Sequence, residues 1–249
     1  LLFYYLTPGI WKNYTALGFS LMFYSWGAPI FIFFLLASCL IDHFLIKEFS
    51  SDNKKKYLIL SLILNVGLLL YFKYANFFID NVNVLLEQIG LDQCEWTKVV
   101  LPIGVSFFTF QKISYAMDIY SGASKQLQKF SDYLLYITLF PQLIAGPILR
   151  ANELIPSLKK KIVFSSSQIK FGLVLFTVGF IKKVYFADSI GTLIDPIFDN
   201  PDNSKPEDLV KGFLLFPLQI YFDFSGYVDM ALGISNILSI ELPINFNKP

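Results

Sequence analysis

The sequence predicts an all-α protein, a polytopic integral membrane bundle of helices. Hydrophobic residues make up 55% of the 249 residues and charged residues only 16%, and the mean hydropathy is +0.54. Soluble domains usually contain about 25% charged residues, so this composition indicates a chain that is largely surrounded by lipid. A net charge of +1 gives no indication of a nucleic-acid partner.

Six stretches are apolar enough to be membrane helices of about 20 residues. In chain order they are residues 14–41, 57–72, 99–120, 133–149, 169–190 and 209–240. The first is uncharged throughout, and we expect Gly27, Ala28 and Pro29 to kink it or to divide it into a short pair of helices.

The charges between these stretches predict their orientation, because Lys and Arg concentrate on the cytoplasmic side of a membrane. The lysine-rich loop 47–56 is therefore predicted to be cytoplasmic. The more acidic segments 73–98 and 191–208 are predicted to lie outside.

Stretch 133–149 is predicted not to cross the membrane. Both of its flanks are basic, since Lys125 and Lys129 precede it and Arg150 follows it, and prolines and a glycine interrupt it. Non-helical backbone at membrane depth is tolerated only where it is buried in protein or lines a water-filled cavity. We therefore expect a re-entrant hairpin that turns near residues 139–147.

Several ionisable residues lie inside the apolar stretches, where each costs roughly 2.5–3.5 kcal/mol at the bilayer centre. They are Lys112, Asp118, Lys182, Lys183, Asp188, Asp223 and Asp229. Such groups face the protein interior, pair with one another, or line a path for a substrate or ion.

The segment YFDFSGYVDMALG (221–233) contains two of these acids. Asp223 and Asp229 are six residues apart, about 240° around a regular helix, so they are not predicted to form a paired-carboxylate active site. Asp223 shares a helix face with Tyr227, and Ser225 shares one with Asp229.

Two interpretations of Asp223 and Asp229 stay open. In the first, they only tie helices together, with Lys182, Lys183 or Lys112 as partners. In the second, they shape a polar tunnel or orient a catalytic group.

In the same segment, Gly226 and Gly233 predict a flat surface for close approach of a second helix.

The chain contains one histidine, His43, and two cysteines, Cys39 and Cys94. These residues predict neither a metal site nor a disulfide framework. His43 lies at the end of a predicted span beside Asp42, and a lone histidine in that position is more often structural than catalytic.

A series of motifs resembles the membrane-bound O-acyltransferase family, and most of all its bacterial alginate O-acetyltransferase branch. The motifs are YFKYANFFID (71–80), LPIGVSFFTFQKISYAMDIYSG (101–122), LFPQLIAGPILR (139–150), GFIKKVYFAD (179–188), YFDFSGYVDMALG (221–233) and LPINFNKP (242–249). Each motif alone is modest, but their order and spacing are specific, and they cover essentially the whole chain. The D-alanyl transfer branch, which modifies teichoic acids, is similar, but it usually has Ser-Gly-Pro-Ile-Asp-Arg where this chain has residues 145–150.

The resemblance implies a bundle with re-entrant elements around a tunnel, in one membrane acyltransferase domain over residues 1–249, at the bacterial inner membrane. It implies acetyl transfer to hydroxyls of an exported or cell-surface polysaccharide of the alginate type. The implied donor is acetyl-CoA or an acyl carrier, with no resident cofactor. The implied partners are a polysaccharide or relay-protein acceptor, accessory acetylation proteins and membrane lipids.

The resemblance also implies where the catalytic groups lie. In the family, the counterpart of NFNKP is followed by an Arg-Arg-Trp-His segment and then by a Trp-His-Gly with the presumed catalytic histidine. We therefore expect both histidines beyond Pro249, and we expect a truncated fragment that is inactive alone. The residues that we assign to the tunnel or to its structural support are Pro141, Gly146, Pro147, Arg150, Asp223, Ser225, Tyr227, Asp229 and Asn245.

Two alternative functions stay open at this point. One is transfer of D-alanine, or of an acyl chain to a lipid, by a member of the same family. The other belongs to a different class, a transporter or channel whose buried charges form an ion path.

Overall fold

The computed structural model describes residues 2–50, 52–143, 146, 149–160 and 164–244, and every regular element within these ranges is helical. The helices are α1 (Leu2–Leu6), α2 (Lys12–Gly27), α3 (Phe31–Lys47), α4 (Lys54–Gln88), α5 (Val105–Tyr120), α6 (Phe130–Thr138), α7 (Ala151–Lys159), α8 (Ser166–Ile181), α9 (Asp188–Asp199) and α10 (Pro206–Ile237). The all-α prediction is thereby confirmed for the described residues.

The chain divides into two compact units. The α2–α6 unit comprises Asn13–Ile144 and Arg150–Asn152. The α8–α10 unit comprises Leu1–Lys12, Ala145–Leu149 and Glu153–Pro249.

In the α2–α6 unit, the first predicted span is divided into two helices, as expected. Helix α2 ends at Gly27 and α3 begins at Phe31. Pro29 lies in the break, where its missing N–H and its ring prevent a continuous hydrogen-bond ladder. Helix α3 buries Leu35, Cys39 and Ile46 on one stripe, the spacing that is typical of a helix facing a core.

Helix α4 is much longer than the predicted span 57–72. The helix continues past the apolar stretch to Gln88 and has 35 residues. At 1.5 Å per residue it is therefore about 52 Å long. Among the described helices it is the one whose length and composition suffice to cross a membrane.

The segment after α4 runs back along the helix and is attached to it by two asparagines. The Val99 N–H donates to Asn76 Oδ1 at 2.9 Å, and Asn76 Nδ2 donates to the Val99 carbonyl at 2.8 Å. Asn83 forms the same pair of bonds with Cys94, at 2.8 and 3.3 Å. Because Asn76 and Asn83 are two turns apart on one helix face, they align residues 94–99 with the helix.

The α8–α10 unit is built on two long antiparallel helices. Residues 166–199 form one uninterrupted helix, about 50 Å long, in which a π-helical segment, Lys182–Ala187, joins α8 to α9. Helix α10 has 32 residues and begins with Pro206, whose fixed φ suits the first helical turn.

Four glycines bring the two long helices together. A methyl group on Gly172 would lie 2.6 Å from the Gly233 carbonyl oxygen, and one on Gly226 would lie 2.8 Å from the Gly179 carbonyl oxygen. The predicted close-approach surface at Gly226 and Gly233 is therefore confirmed, and its partners are Gly172 and Gly179. Both pairs are spaced by seven residues, so an antiparallel arrangement aligns them at two points along the interface.

Candidate functional site

Two lysines at the middle of the helix 166–199 meet the aspartates of α10. Lys182 Nζ lies 2.6 Å from Asp229 Oδ2, and Lys183 Nζ lies 2.6 Å from Asp223 Oδ1. Both contacts are ones that the helix-tying interpretation of Asp223 and Asp229 expects, and the choice between that interpretation and the tunnel stays open. The two acids are not paired with each other, as their spacing predicted.

The π-helical segment explains how Lys183 reaches a second carboxylate. Its Nζ also lies 2.8 Å from Asp188 Oδ1, five residues further along the same chain. Residues five apart diverge by about 140° on a regular α-helix, whereas the wider π turn stacks them. The π segment thus lets one ammonium contact Asp188 and Asp223 together.

The two ion pairs differ in their exposure to solvent. The Asp229 side chain is 16% exposed and its partner Lys182 is 26% exposed, whereas Asp223 is 53% exposed. Solvent screens an exposed pair strongly. The Lys182–Asp229 pair therefore contributes more to the association of the two helices than the Lys183–Asp223 pair.

Two other predicted site residues lie on the same helix. Ser225 is fully buried beside the glycine contact, and its hydroxyl has no hydrogen-bond partner among the described residues. Tyr227 is partly buried. Neither position tests the predicted tunnel, which stays a prediction.

The predicted re-entrant segment is described only in part. Helix α6 ends at Thr138 and residues 140–143 form a turn, so stretch 133–149 is not one continuous helix. Pro141 and Gly146 are buried and Arg150 is exposed. Pro147 and Asn245 lie outside the described residues, and the course of the segment relative to a membrane stays a prediction.

The most buried acid of the described chain is one that sequence reasoning did not single out. Asp42 is 0% exposed in the middle of the α2–α6 unit. Its Oδ1 accepts hydrogen bonds from Ser61 Oγ at 2.5 Å and from Asn65 Nδ2 at 2.9 Å, and its Oδ2 accepts one from the Tyr133 hydroxyl at 2.7 Å. One carboxylate therefore links α3, α4 and α6.

One signal in the sequence could have indicated this network. Ser61 and Asn65 are polar, lie four residues apart inside the apolar part of α4, and must therefore share a helix face. Polar groups on one face of an otherwise apolar helix need a partner, and Asp42 is the partner that the fold supplies.

Lys112 and His43 lie in the same unit. Lys112 is fully buried, and its ammonium donates to Ser38 Oγ at 3.2 Å and lies 5.8 Å from the Phe108 ring centroid. Of the three lysines considered as alternative partners of Asp223 and Asp229, the ion pairs involve Lys182 and Lys183. His43 is buried with its ring stacked on Tyr133, at 5.3 Å between centroids.

The described residues offer no ready place for a metal ion. They contain no group of three or more His, Cys, Asp or Glu side chains arranged as ligands. The hydrogen bonds around Asp42 also occupy both of its oxygens with neutral donors.

No family model matches the chain, but curated proteins do. The chain is 33% identical to a probable alginate O-acetylase of Azotobacter vinelandii, over 99% of this chain and 50% of that protein. It is 35% identical to the peptidoglycan O-acetyltransferase of Helicobacter pylori, over 92% of this chain and 49% of that protein. A teichoic acid D-alanyltransferase of Bacillus subtilis is 28% identical over 59% of this chain and 38% of its own length. The chain spans about half the length of the first two relatives.

Proposed function

The chain belongs with the membrane-bound O-acyltransferase-like proteins. On that premise, we propose that it is part of a membrane O-acetyltransferase that acts on an exported or cell-surface polysaccharide. The observation that carries this proposal is the match to an alginate O-acetylase over 99% of the chain. The peptidoglycan O-acetyltransferase match supports the same chemistry on another carbohydrate polymer.

We propose that the α8–α10 hairpin crosses the bacterial inner membrane as part of a multi-pass, MBOAT-like bundle with a re-entrant element. Its two helical arms are about 50 Å long, which is enough for a hydrocarbon core about 30 Å thick. Since α4 is the described helix that qualifies as a span by length and composition, this proposal depends on the pairing of the charges inside the two arms. Lys182 and Lys183 would then lie at membrane depth, with the half-exposed Asp223 facing a water-filled path of the kind that intramembrane charges line. Their pairing with Asp223, Asp229 and Asp188 supports this placement.

In the proposed reaction, an acceptor hydroxyl attacks the thioester carbonyl carbon of acetyl-CoA or an acyl carrier. The C–O bond forms, the C–S bond breaks, the thiolate leaves, and a histidine takes the hydroxyl proton and returns it to the sulfur. The family resemblance assigns this base to a histidine outside the 249 residues, so the residues described here would support the tunnel. The acceptor would be a polysaccharide hydroxyl or a relay protein, and accessory acetylation proteins would be further partners.

A second candidate function is transfer of D-alanine to teichoic acid. The match to a teichoic acid D-alanyltransferase favours it, but that match covers only 59% of the chain at 28% identity. The acetyl-transfer proposal therefore has the stronger support.

Complementation tests both candidates. The full-length protein, expressed in a strain that cannot acetylate its polysaccharide, should raise the ester-linked acetyl content of the polymer. A full-length protein that accumulates in the membrane without raising acetyl content contradicts the proposal. A rise in ester-linked D-alanine in a D-alanylation-deficient strain would support the second candidate instead.

A further inference from the structure

The buried Asp42 network connects to the turn that follows α6. Asp42 is fully buried, and among the described residues no cation lies within ion-pair distance of it. Burying a carboxylate without a cation costs several kcal/mol unless hydrogen bonds offset the lost hydration. Ser61, Asn65 and Tyr133 supply three such bonds, so the acid is tolerated only while α3, α4 and α6 keep this one arrangement.

Helix α6 depends on such contacts for its orientation. It has only nine residues, and isolated helices shorter than about 12–15 residues are marginal in water. Tyr133, in its first turn, is fully buried, and its hydroxyl is fixed by Asp42 while its ring contacts His43 and Tyr115. These contacts fix the rotation of α6 about its axis.

The other end of α6 is fixed by two glutamines. Gln111 Nε2 and Gln142 Nε2 donate to the Tyr136 carbonyl at 2.8 and 2.9 Å. That carbonyl is among the last four of the helix, which have no partner within the helix itself. Because Gln142 lies in the turn 140–143, the bonds join the helix end to that turn.

We propose that Asp42 and Tyr133 are positioning residues that hold α6 in one rotation and thereby place the turn that carries Pro141. The Phe140 N–H donates to Ser20 Oγ at 3.1 Å, so the turn is itself attached to α2. A small rotation of α6 displaces this turn, which belongs to the segment assigned above to the tunnel. The effect on acyl transfer rests on the proposed function, whereas the effect on α6 does not.

The test uses the full-length protein in lipid nanodiscs, with Tyr133→Phe as the main variant. Tyr71→Phe is the matched control, because Tyr71 is 49% exposed on α4 and lies outside the network. Hydrogen–deuterium exchange is measured for peptides that cover residues 130–143. Loss of a hydrogen bond to a carboxylate should speed exchange there about tenfold or more, since such bonds are among the stronger ones in proteins.

The second readout is acyl-transfer kinetics at equal protein abundance. We expect Tyr133→Phe to lower kcat about tenfold, while the KM for the thioester donor changes less than twofold, because the donor contacts themselves are kept. Tyr71→Phe should match the wild type in both readouts. A purely structural role would lower abundance without changing kcat per molecule.

Two outcomes would overturn the proposal, and a third bears on the proposed function. Exchange in residues 130–143 equal to that of Tyr71→Phe would show that the Asp42 bond does not hold α6. Faster exchange with an unchanged kcat would show that the orientation of α6 does not matter for the reaction. A purified wild-type protein without acyl transfer contradicts the proposed function, and exchange then decides alone whether Asp42 positions α6.

A second variant covers the case in which Tyr133→Phe does not accumulate. Asp42→Asn keeps the shape of the side chain but removes the negative charge and one of the two oxygens to which Ser61, Asn65 and Tyr133 donate. It should speed exchange in residues 130–143 and lower kcat in the same direction. Unchanged exchange in this variant overturns the proposal.

Discussion

The two units stabilise their acidic residues in opposite ways. In the α8–α10 unit, Asp229 and Asp223 each face a lysine and remain partly exposed. In the α2–α6 unit, Asp42 is fully buried and is held by two hydroxyls and an amide, without a cation in ion-pair distance among the described residues.

The difference shows what each arrangement demands of the fold. The flexible lysine side chain can reach an aspartate from a range of helix positions, so such an ion pair tolerates small displacements of the helices. A carboxylate with three neutral donors needs every donor in place, because each unsatisfied buried group costs about 1–3 kcal/mol. We therefore expect the Asp42 network to be the more rigid of the two.

The largest effect is predicted for a variant that separates α8 from α10, because their close approach brings Lys182 and Lys183 to the aspartates of α10. Gly179→Leu places a large side chain against the backbone of α10 at Gly226 and should separate the helices. Overpacking typically destabilises a protein by about 1–3 kcal/mol and occasionally more. We expect a cost at the upper end, because the added side chain would collide with backbone atoms of α10, which cannot move aside as a side chain can. We expect little folded protein in membranes, as measured by fluorescence-detected size exclusion. Gly67→Ala is the control, because its added methyl group meets no atom within 4 Å, and a similar loss there would contradict the prediction.

The second effect tests the neutral network. Asp42→Leu leaves Ser61, Asn65 and Tyr133 without their acceptor and should destabilise the protein by about 3 kcal/mol or more. Thermal unfolding in detergent measures the loss. The exposed Asp52 provides the control variant Asp52→Leu, and equal melting temperatures for the two variants would show that the network contributes little.

The third effect concerns the better-buried ion pair. Lys182→Met leaves Asp229 as an uncompensated, mostly buried charge and should lower stability by about 1–3 kcal/mol. The double variant Lys182→Met with Asp229→Asn should recover most of the loss, because it removes both charges. A double variant as unstable as the single one would mean that the pair does not act as a unit.

The smallest effect concerns the exposed pair. Lys183→Met should lower stability by less than about 1 kcal/mol, since solvent screens a carboxylate such as Asp223 that is more than half exposed. The exposed Lys170, which has no ion-pair partner among the described residues, gives the control Lys170→Met. If Lys183→Met lowered stability more than Lys182→Met in the same unfolding assay, the prediction that the more exposed ion pair contributes less stability would be wrong.

Sequence reasoning was most successful where local pattern decides. The divided span at Pro29, the close-approach surface at Gly226 and Gly233, and the separation of Asp223 from Asp229 all follow from backbone chemistry or helical periodicity, and all are confirmed. The family resemblance, first drawn from motif order, is confirmed by the curated relatives. Helix α4 extends to Gln88, well past the predicted apolar span 57–72, because a helix can continue beyond its apolar stretch.

The sequence by itself determined the helical class, the family, and the residues that must find partners. Apolar composition, proline and glycine breaks and charges inside apolar stretches are local properties, so they can be read without knowing the fold. Only the tertiary structure decided which partners those residues found. Lys182 reached Asp229 across 47 positions, and Tyr133 reached Asp42 across 91. Such pairings depend on how helices cross, and no local pattern of residues specifies a crossing.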